Sequence, residues 1–271
     1  MILRPAGIGL ALLLSAPARL AGQVAPARYV AEAAARPIVV DGRLDDAAWG
    51  GAAWSADFTD IEGDSRPAPR WRTRVKLLWD STALYVGAEL EEPDLWATLT
   101  RRDAVIYHDN DFEVFLDPDG DGLAYFELEI NALGTVWDLF LPRPYRLGGS
   151  AVDEWDIAGL RSAVALQGTL NHPVDRDAGW TVELAIPFTA LTASGVSTPA
   201  PADGTRWRVN FSRVEWDLEV IDGEYRKPTD PASGQPRREH NWVWSPQGVV
   251  DMHRPEQWGT VEFRAADGSD R

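Results

Sequence analysis

The chain has 271 residues, no cysteine and a formal net charge of −16. The acidic balance disfavours nucleic acid and anionic membrane as partners. The missing cysteines exclude both a disulfide framework and a lipid-modified cysteine anchor. Neutral sugars, cations and basic proteins stay open as partners, while acids spread over a surface commonly serve solubility.

Residues 1–22 read as a secretory signal peptide. Arg4 supplies the charge, Ile8 to Leu14 a short apolar run, and Ala16-Pro17-Ala18 and Leu20-Ala21-Gly22 small-residue cleavage sites. That run is too short to span a bilayer, so the expectation is an exported protein, periplasmic or extracellular, without a membrane anchor. Residues 23–271 fit a single domain, large enough to bury a core without disulfides.

A lead-in from Tyr29 ends in an expected strand at Pro37-Ile38-Val39-Val40. Asp41-Gly42 turns the chain, and Asp45 or Asp46 is placed to cap a short helix through Trp49. After a polar loop from Glu62 to Pro69, strands are expected over Trp71 to Trp79 and from Leu84 to Leu90. Glu91 to Arg102 reads as irregular or briefly helical. Two alternating runs then flank Pro118-Asp119-Gly120-Asp121-Gly122. Phe112, Val114 and Leu116 share one face and Glu113 and Phe115 the other, while Ala124, Phe126, Leu128 and Ile130 oppose Tyr125, Glu127, Glu129 and Asn131. Period-two alternation about an Asp/Gly turn predicts an antiparallel hairpin, apolar on one side and polar on the other.

Further strands are expected over Leu160 to Leu170, Trp180 to Ile186, Arg206 to Val214, Trp242 to Trp244 and Thr260 to Phe263, with a helical turn at Thr189 to Ala193. Asp217 to Glu239 reads as a polar loop. Many short strands with turn signals between them predict an all-β fold, an antiparallel β-sandwich of jelly-roll or immunoglobulin-like type.

An ordered series of motifs runs through the chain. Asp41-Gly42-Arg43-Leu44-Asp45 with Trp49 comes first, followed by Leu78-Trp79-Asp80 with Leu84-Tyr85-Val86. Asn110, Glu113, Phe115 and Asp117 form the next pattern, then Gly179 to Glu183 with Ile186-Pro187-Phe188. Trp207 with Asn210-Phe211, Trp244-Ser245 and Pro255 to Gly259 close the series. In this order the chain resembles the family 9 carbohydrate-binding modules over essentially all of residues 23–271. The resemblance implies a noncatalytic sandwich that clamps a terminal sugar between two aromatic side chains, bonds its hydroxyls with polar groups and braces its loops with calcium. It places Tyr107 at the first clamp position, Glu113 at a hydroxyl-bonding acid, Ser212 at a polar amide position and Met252 at the second clamp position. Glu129 stands where the family has an arginine. Trp155, Trp216 and Trp96 are loop residues able to replace the second plate, whereas Trp49, Trp79, Trp180, Trp207, Trp244 and Trp258 read as core. An oligo- or polysaccharide is thus the expected ligand, extracellular carbohydrate breakdown the expected setting, and glycoside hydrolases the expected partners.

Other chemistry is also open. Asp117-x-Asp119-x-Asp121-Gly122 has the oxygen-ligand spacing of a calcium loop, although Leu128 stands at the twelfth position. The same residues make an ordinary hairpin turn. A structural calcium is expected there, and no organic cofactor. Glu113, Glu127 and Glu129 admit a glycoside hydrolase as the alternative, against the simpler reading of charges on a solvated strand face. Met252 beside His253 admits a haem-binding redox domain as a third reading. Arg213 suits either sugar hydroxyls or pairing with acids.

Overall fold

A computed structural model describes residues 25–193 and 196–266, and the expected signal peptide, 1–22, lies outside them. Alternation sets the face that each strand turns inward. The strands are β1 (Arg28–Ala33), β2 (Thr59–Asp60), β3 (Thr73–Trp79), β4 (Ala83–Glu91), β5 (Asp111–Asp117), β6 (Tyr125–Asn131), β7 (Val136–Leu141), β8 (Arg161–Gln167) and β9 (Gly179–Pro187). Two-residue strands β10 (Thr192–Ala193) and β11 (Val196–Ser197) form a small hairpin. They are followed by β12 (Arg206–Glu215), β13 (Glu219–Ile221), β14 (Glu224–Arg226), β15 (His240–Val243) and β16 (Gly259–Arg264). Among the described residues the only helical pieces are short 3₁₀ turns, and no helix is long and apolar enough to cross a membrane.

Twelve strands join one sheet in the order β7-β6-β5-β12-β16-β1-β3-β4-β9-β8, with β15 joined to β12 and β2. β12 splits its outer edge: Arg206–Val209 pair with β16, while Ser212–Glu215 pair with β15. The sheet curls on itself into a sandwich. Val114, Leu116, Phe126 and Leu128 from one half share a buried cluster with Leu84, Val86, Val182 and Leu184 from the other. Each such side chain contributes about 1.5–3 kcal/mol through burial.

The expected β-sandwich is present, and the 111–131 hairpin has the predicted phase, with Phe112 opposite Ile130 and Glu113 opposite Glu129. Its pairing is not wholly antiparallel, because β1 runs parallel to both neighbours, β16 and β3. Residues 37–40 are not a strand. Ile38 is instead buried in a small cluster with Trp49 and Tyr85, and the Val39 N–H donates to Asp46 Oδ2 at 2.7 Å. That bond occupies the expected cap, and only the 3₁₀ turn Trp49–Gly51 follows, with no side-chain cap. The 217–239 stretch contains the hairpin β13–β14.

Glu183 on β9 explains the Asp41-Gly42…Trp49 motif. Its Oε2 accepts the Asp41 and Gly42 N–H groups at 3.0 and 2.9 Å, and its Oε1 accepts Trp49 Nε1–H at 2.6 Å. Gly42 has φ +87°, and a Cβ there would lie 2.6 Å from the Val164 carbonyl carbon, so only glycine fits.

Arg213 ties the two layers together from inside. It extends from β12 to Glu92 and Glu215 at 2.7 and 2.8 Å, to Thr73 Oγ1 at 3.1 Å and to the Glu91 carbonyl at 2.8 Å. Its side chain has no exposure, so of its two sequence readings the structure supports pairing with acids. We expect Arg213→Met to cost about 3–5 kcal/mol, since it leaves two buried carboxylates without their cation. A urea unfolding midpoint within error of the parent would refute this role.

Candidate functional site

The face of β5, β6 and β12 turned away from the sandwich core carries the polar residues that alternate with it. In register, Ser212 lies opposite Glu113, Glu113 opposite Glu129, and Glu129 opposite Trp137 on β7. One residue pair further along, Phe115 faces Glu127 and Glu127 faces Leu139. Asp111 completes the set at the strand start.

This face is not solvated, contrary to the simpler expectation for Glu113, Glu127 and Glu129. Glu113, Glu127 and Glu129 are 5, 5 and 2 % exposed. The chain between β15 and β16 folds over part of it. There Met252 and Trp258 join Phe115, Tyr125, Leu139 and Leu141 in a second apolar cluster, and Trp258 Nε1–H donates to the Met252 carbonyl at 2.8 Å. Beside that cover a cleft of about 450 Å³ remains, lined by Tyr107, Glu113, Glu127, Glu129, Trp137, Tyr145, Met252 and His253 among others.

Four predicted site residues, Tyr107, Glu113, Glu129 and Met252, therefore meet in one cleft. Ser212 lies beneath the floor, without exposure. Trp96, Trp155 and Trp216 do not line the cleft. Trp155 packs on Phe126, while Trp96 and Trp216 flank Lys227, whose Nζ lies 3.4 Å from the Trp216 ring centre. These contacts position the first aromatic. Lys227 Nζ donates to the His108 carbonyl at 2.5 Å and Trp216 Nε1–H to the Tyr107 carbonyl at 2.9 Å. The Tyr107 N–H donates to Glu129 Oε2 at 2.9 Å. Tyr107 is left 40 % exposed, which gives it the accessible ring face that a stacking residue needs.

Sequence reasoning passed over Trp137 and Tyr145. Trp137 stands 6.4 Å from Tyr107, ring centre to ring centre, with 35° between planes. Its place opposite Glu129 follows once β7 is paired with β6, and no local motif announces it. Tyr145 packs edge-on against His253 at 4.5 Å.

Burial is the main force on the carboxyls. It pushes Glu113 up to about 7, aided by the Glu239 charge. Burial and then the Glu113 charge hold Asp111, Glu127 and Glu129 well above the usual carboxylate range. Like charges this close cannot all ionise in a site of low dielectric.

The Asp117, Asp119 and Asp121 carboxylates converge to within 4.8 Å in the β5–β6 turn. Asp117 also accepts the Gly120 and Gly122 N–H groups, each at 3.0 Å, so the loop is a formed turn as well as a gathering of oxygens. Asp119 and Asp121 are exposed, and this all-oxygen donor set fits a hard cation.

Residues 40–265 match the family described as carbohydrate family 9 binding domain-like, and the chain belongs to that family. Among solved structures it resembles a family 9 carbohydrate-binding module from Caldicellulosiruptor kristjanssonii in complex with cellotriose. The identity is 17%, over 90% of this chain and 97% of that one, with a TM-score of 0.58. A second such structure from that organism, in complex with glucose, has 19% identity, 90% and 99% coverage and a TM-score of 0.57. A proposed carbohydrate-binding protein from Bacteroides uniformis has 16% identity, 88% and 99% coverage and a TM-score of 0.63. No curated protein matches the chain by sequence.

His253 gives the cleft wall a pH signature. Burial lowers it from 6.5 to about 4, partly opposed by the Asp251 charge, and its Nδ1 is 2.9 Å from the Tyr125 hydroxyl. The Phe115, Tyr125 and Tyr145 rings pack around it. The folded state thus prefers neutral imidazole. This contribution is fully present above pH 6.5 and is lost as pH falls through about 4, an effect of about 3 kcal/mol. The raised carboxyls slope the other way, gaining stability as pH falls below about 7. Comparison of wild type with His253→Gln isolates the histidine: the stability difference should shrink by 2–3 kcal/mol between about pH 7 and pH 4. Parallel unfolding profiles would show that His253 takes up its proton as readily in the fold as in the unfolded chain.

Proposed function

We propose that this protein binds carbohydrate without cleaving it, taking the end of an oligo- or polysaccharide into the cleft. The observation that carries this reading is the pairing of an exposed aromatic ring, Tyr107 beside Trp137, with hydroxyl-bonding carboxyls at Glu113 and Glu129 in one cavity. A pyranose has C–H faces that pack on aromatic rings and equatorial hydroxyls that need directional partners. Met252 contributes an apolar edge from the covering loop, and Ser212 supports Glu113 from below.

Several features of this reading rest on the sequence. Residues 1–22 address the chain for export, and binding outside the cell serves carbohydrate breakdown alongside glycoside hydrolases. Calcium held by Asp117, Asp119 and Asp121 braces the β5–β6 turn. The geometry favours binding over hydrolysis, since a glycosidase needs two carboxyls flanking the scissile bond. Glu113 and Glu129 instead rise side by side from one floor.

A glycan array followed by titration calorimetry tests the site. Tyr107→Ala should weaken sugar binding at least tenfold while the melting temperature stays within a few degrees of the parent. Unchanged affinity would move the site elsewhere, and reducing-sugar release that disappears in Glu113→Gln would replace binding by hydrolysis. For the loop, calcium should raise the melting temperature of chelator-treated protein. An undiminished rise in the Asp119→Asn/Asp121→Asn double variant would exclude bracing there.

A further inference from the structure

Asp111, Glu113 and Glu129 each bring one carboxylate oxygen to within 4.8 Å of the others at the floor of the cleft. All three side chains are buried. Two other groups of crowded acids in this molecule receive an arginine. Arg102 pairs with both Asp138 and Asp156, and Arg213 bridges Glu92 and Glu215. Among the described residues, no ion pair of this kind reaches Asp111, Glu113 or Glu129.

Two oxygens beside this cluster are also without a hydrogen-bond partner. They are Asp111 Oδ2 and Ser212 Oγ, both on side chains with no exposure. The Val214 N–H satisfies only the other Asp111 oxygen, at 3.1 Å. Ser212 lies directly across the β5–β12 pair from Glu113, on the same face. A buried oxygen left unpaired costs about 1–3 kcal/mol. One of them belongs to the three crowded carboxyls and the other adjoins them, and one bound cation would satisfy all four groups.

We propose that Asp111, Glu113 and Glu129, with the Ser212 hydroxyl, bind a single hard divalent cation of calcium's size beneath the cleft. Every donor is oxygen, which suits calcium and disfavours metals that seek sulfur or imidazole. Two oxygens bonded to one calcium at about 2.3–2.6 Å lie at most about 5 Å apart, and the carboxylate donors fall within that limit. Magnesium usually keeps several waters and takes only one or two carboxylates, so three converging carboxylates suit calcium better. Four protein donors leave some of calcium's 6–8 positions open. Glu113 and Glu129 border the cleft, so the open positions face it, where water or a hydroxyl oxygen can bind. This site is separate from the Asp117–Asp121 turn and does not depend on the sugar-binding reading.

The test is a terbium titration of chelator-treated protein carrying Asp119→Asn/Asp121→Asn, so that the turn cannot contribute, with calcium as competitor and no sugar present. Trp137, opposite Glu129, is placed to sensitise a bound terbium ion. One saturable site displaced by calcium is expected. Asp111→Asn should weaken it at least tenfold. Glu129→Arg, which puts a fixed positive charge in the same place, should abolish it and raise the melting temperature in chelator. If Asp111→Asn does not fold, Glu129→Arg decides. No saturable binding in the parent background, or binding that Glu129→Arg leaves unmoved, overturns the proposal. A blank glycan array would bear on the sugar reading alone.

Discussion

The period-two alternation of β5 couples the chemistry of the cleft to the packing of the core. Phe112, Val114 and Leu116 face inward and are almost fully buried, so Asp111, Glu113, Phe115 and Asp117 must face the other way. A slip of one residue would put carboxylates between the two layers and phenylalanine outside. Losing three apolar side chains from the core costs about 1.5–3 kcal/mol each, and burying unpaired acids there adds several more. The core therefore fixes the register, and the register fixes which side chains meet above it. The acids stay crowded because the apolar contacts on the opposite face outweigh their repulsion.

Crowded charge receives two treatments in this protein. Within the core, Arg213 meets the acids with a planar fork and spans from β12 to the β3–β4 side, so a polar group links the two layers. On the outer face no such fork reaches the carboxyls, and burial raises their proton affinity instead. A surface built for rigidity alone would not retain both a cleft and an unpaired buried oxygen at its floor. Binding sites commonly keep such unrelieved polarity, because their partner supplies the relief.

Much of the architecture was legible where the pattern is strictly local. The 111–131 hairpin announces itself by alternation and by its Asp/Gly turn, which puts Glu113 and Glu129 on one face, while Tyr107 was placed beside them by the family resemblance. The expected strand at 37–40 fails because a four-residue apolar run fits a packed loop as well as a strand, and the Asp46 carboxylate satisfies one of its N–H groups. β1 was hidden because its partners, β16 and β3, lie far away in the sequence. The burial of Glu113 and Glu127 was equally hidden, since the cover comes from an irregular segment with no periodicity. Trp137 belonged to the cleft only once β7 had been paired with β6.

The parallel seam at β1 bears on how the chain reaches this state. Arg28 pairs with Thr260, and the other edge of the same strand pairs with Leu78 and Trp79 through Glu32 and Ala33. The first strand is thus wedged between an early partner and the last. A ribosome making this protein releases β3 and β4 long before β16 exists, so the sheet cannot close until β16 has emerged. Closure waits for β16 and brings together segments that are distant in sequence, a slow kind of contact to form. Until β16 emerges, the nascent chain has one edge of β1 without its partner, and an unpaired edge of that kind is a template for aggregation.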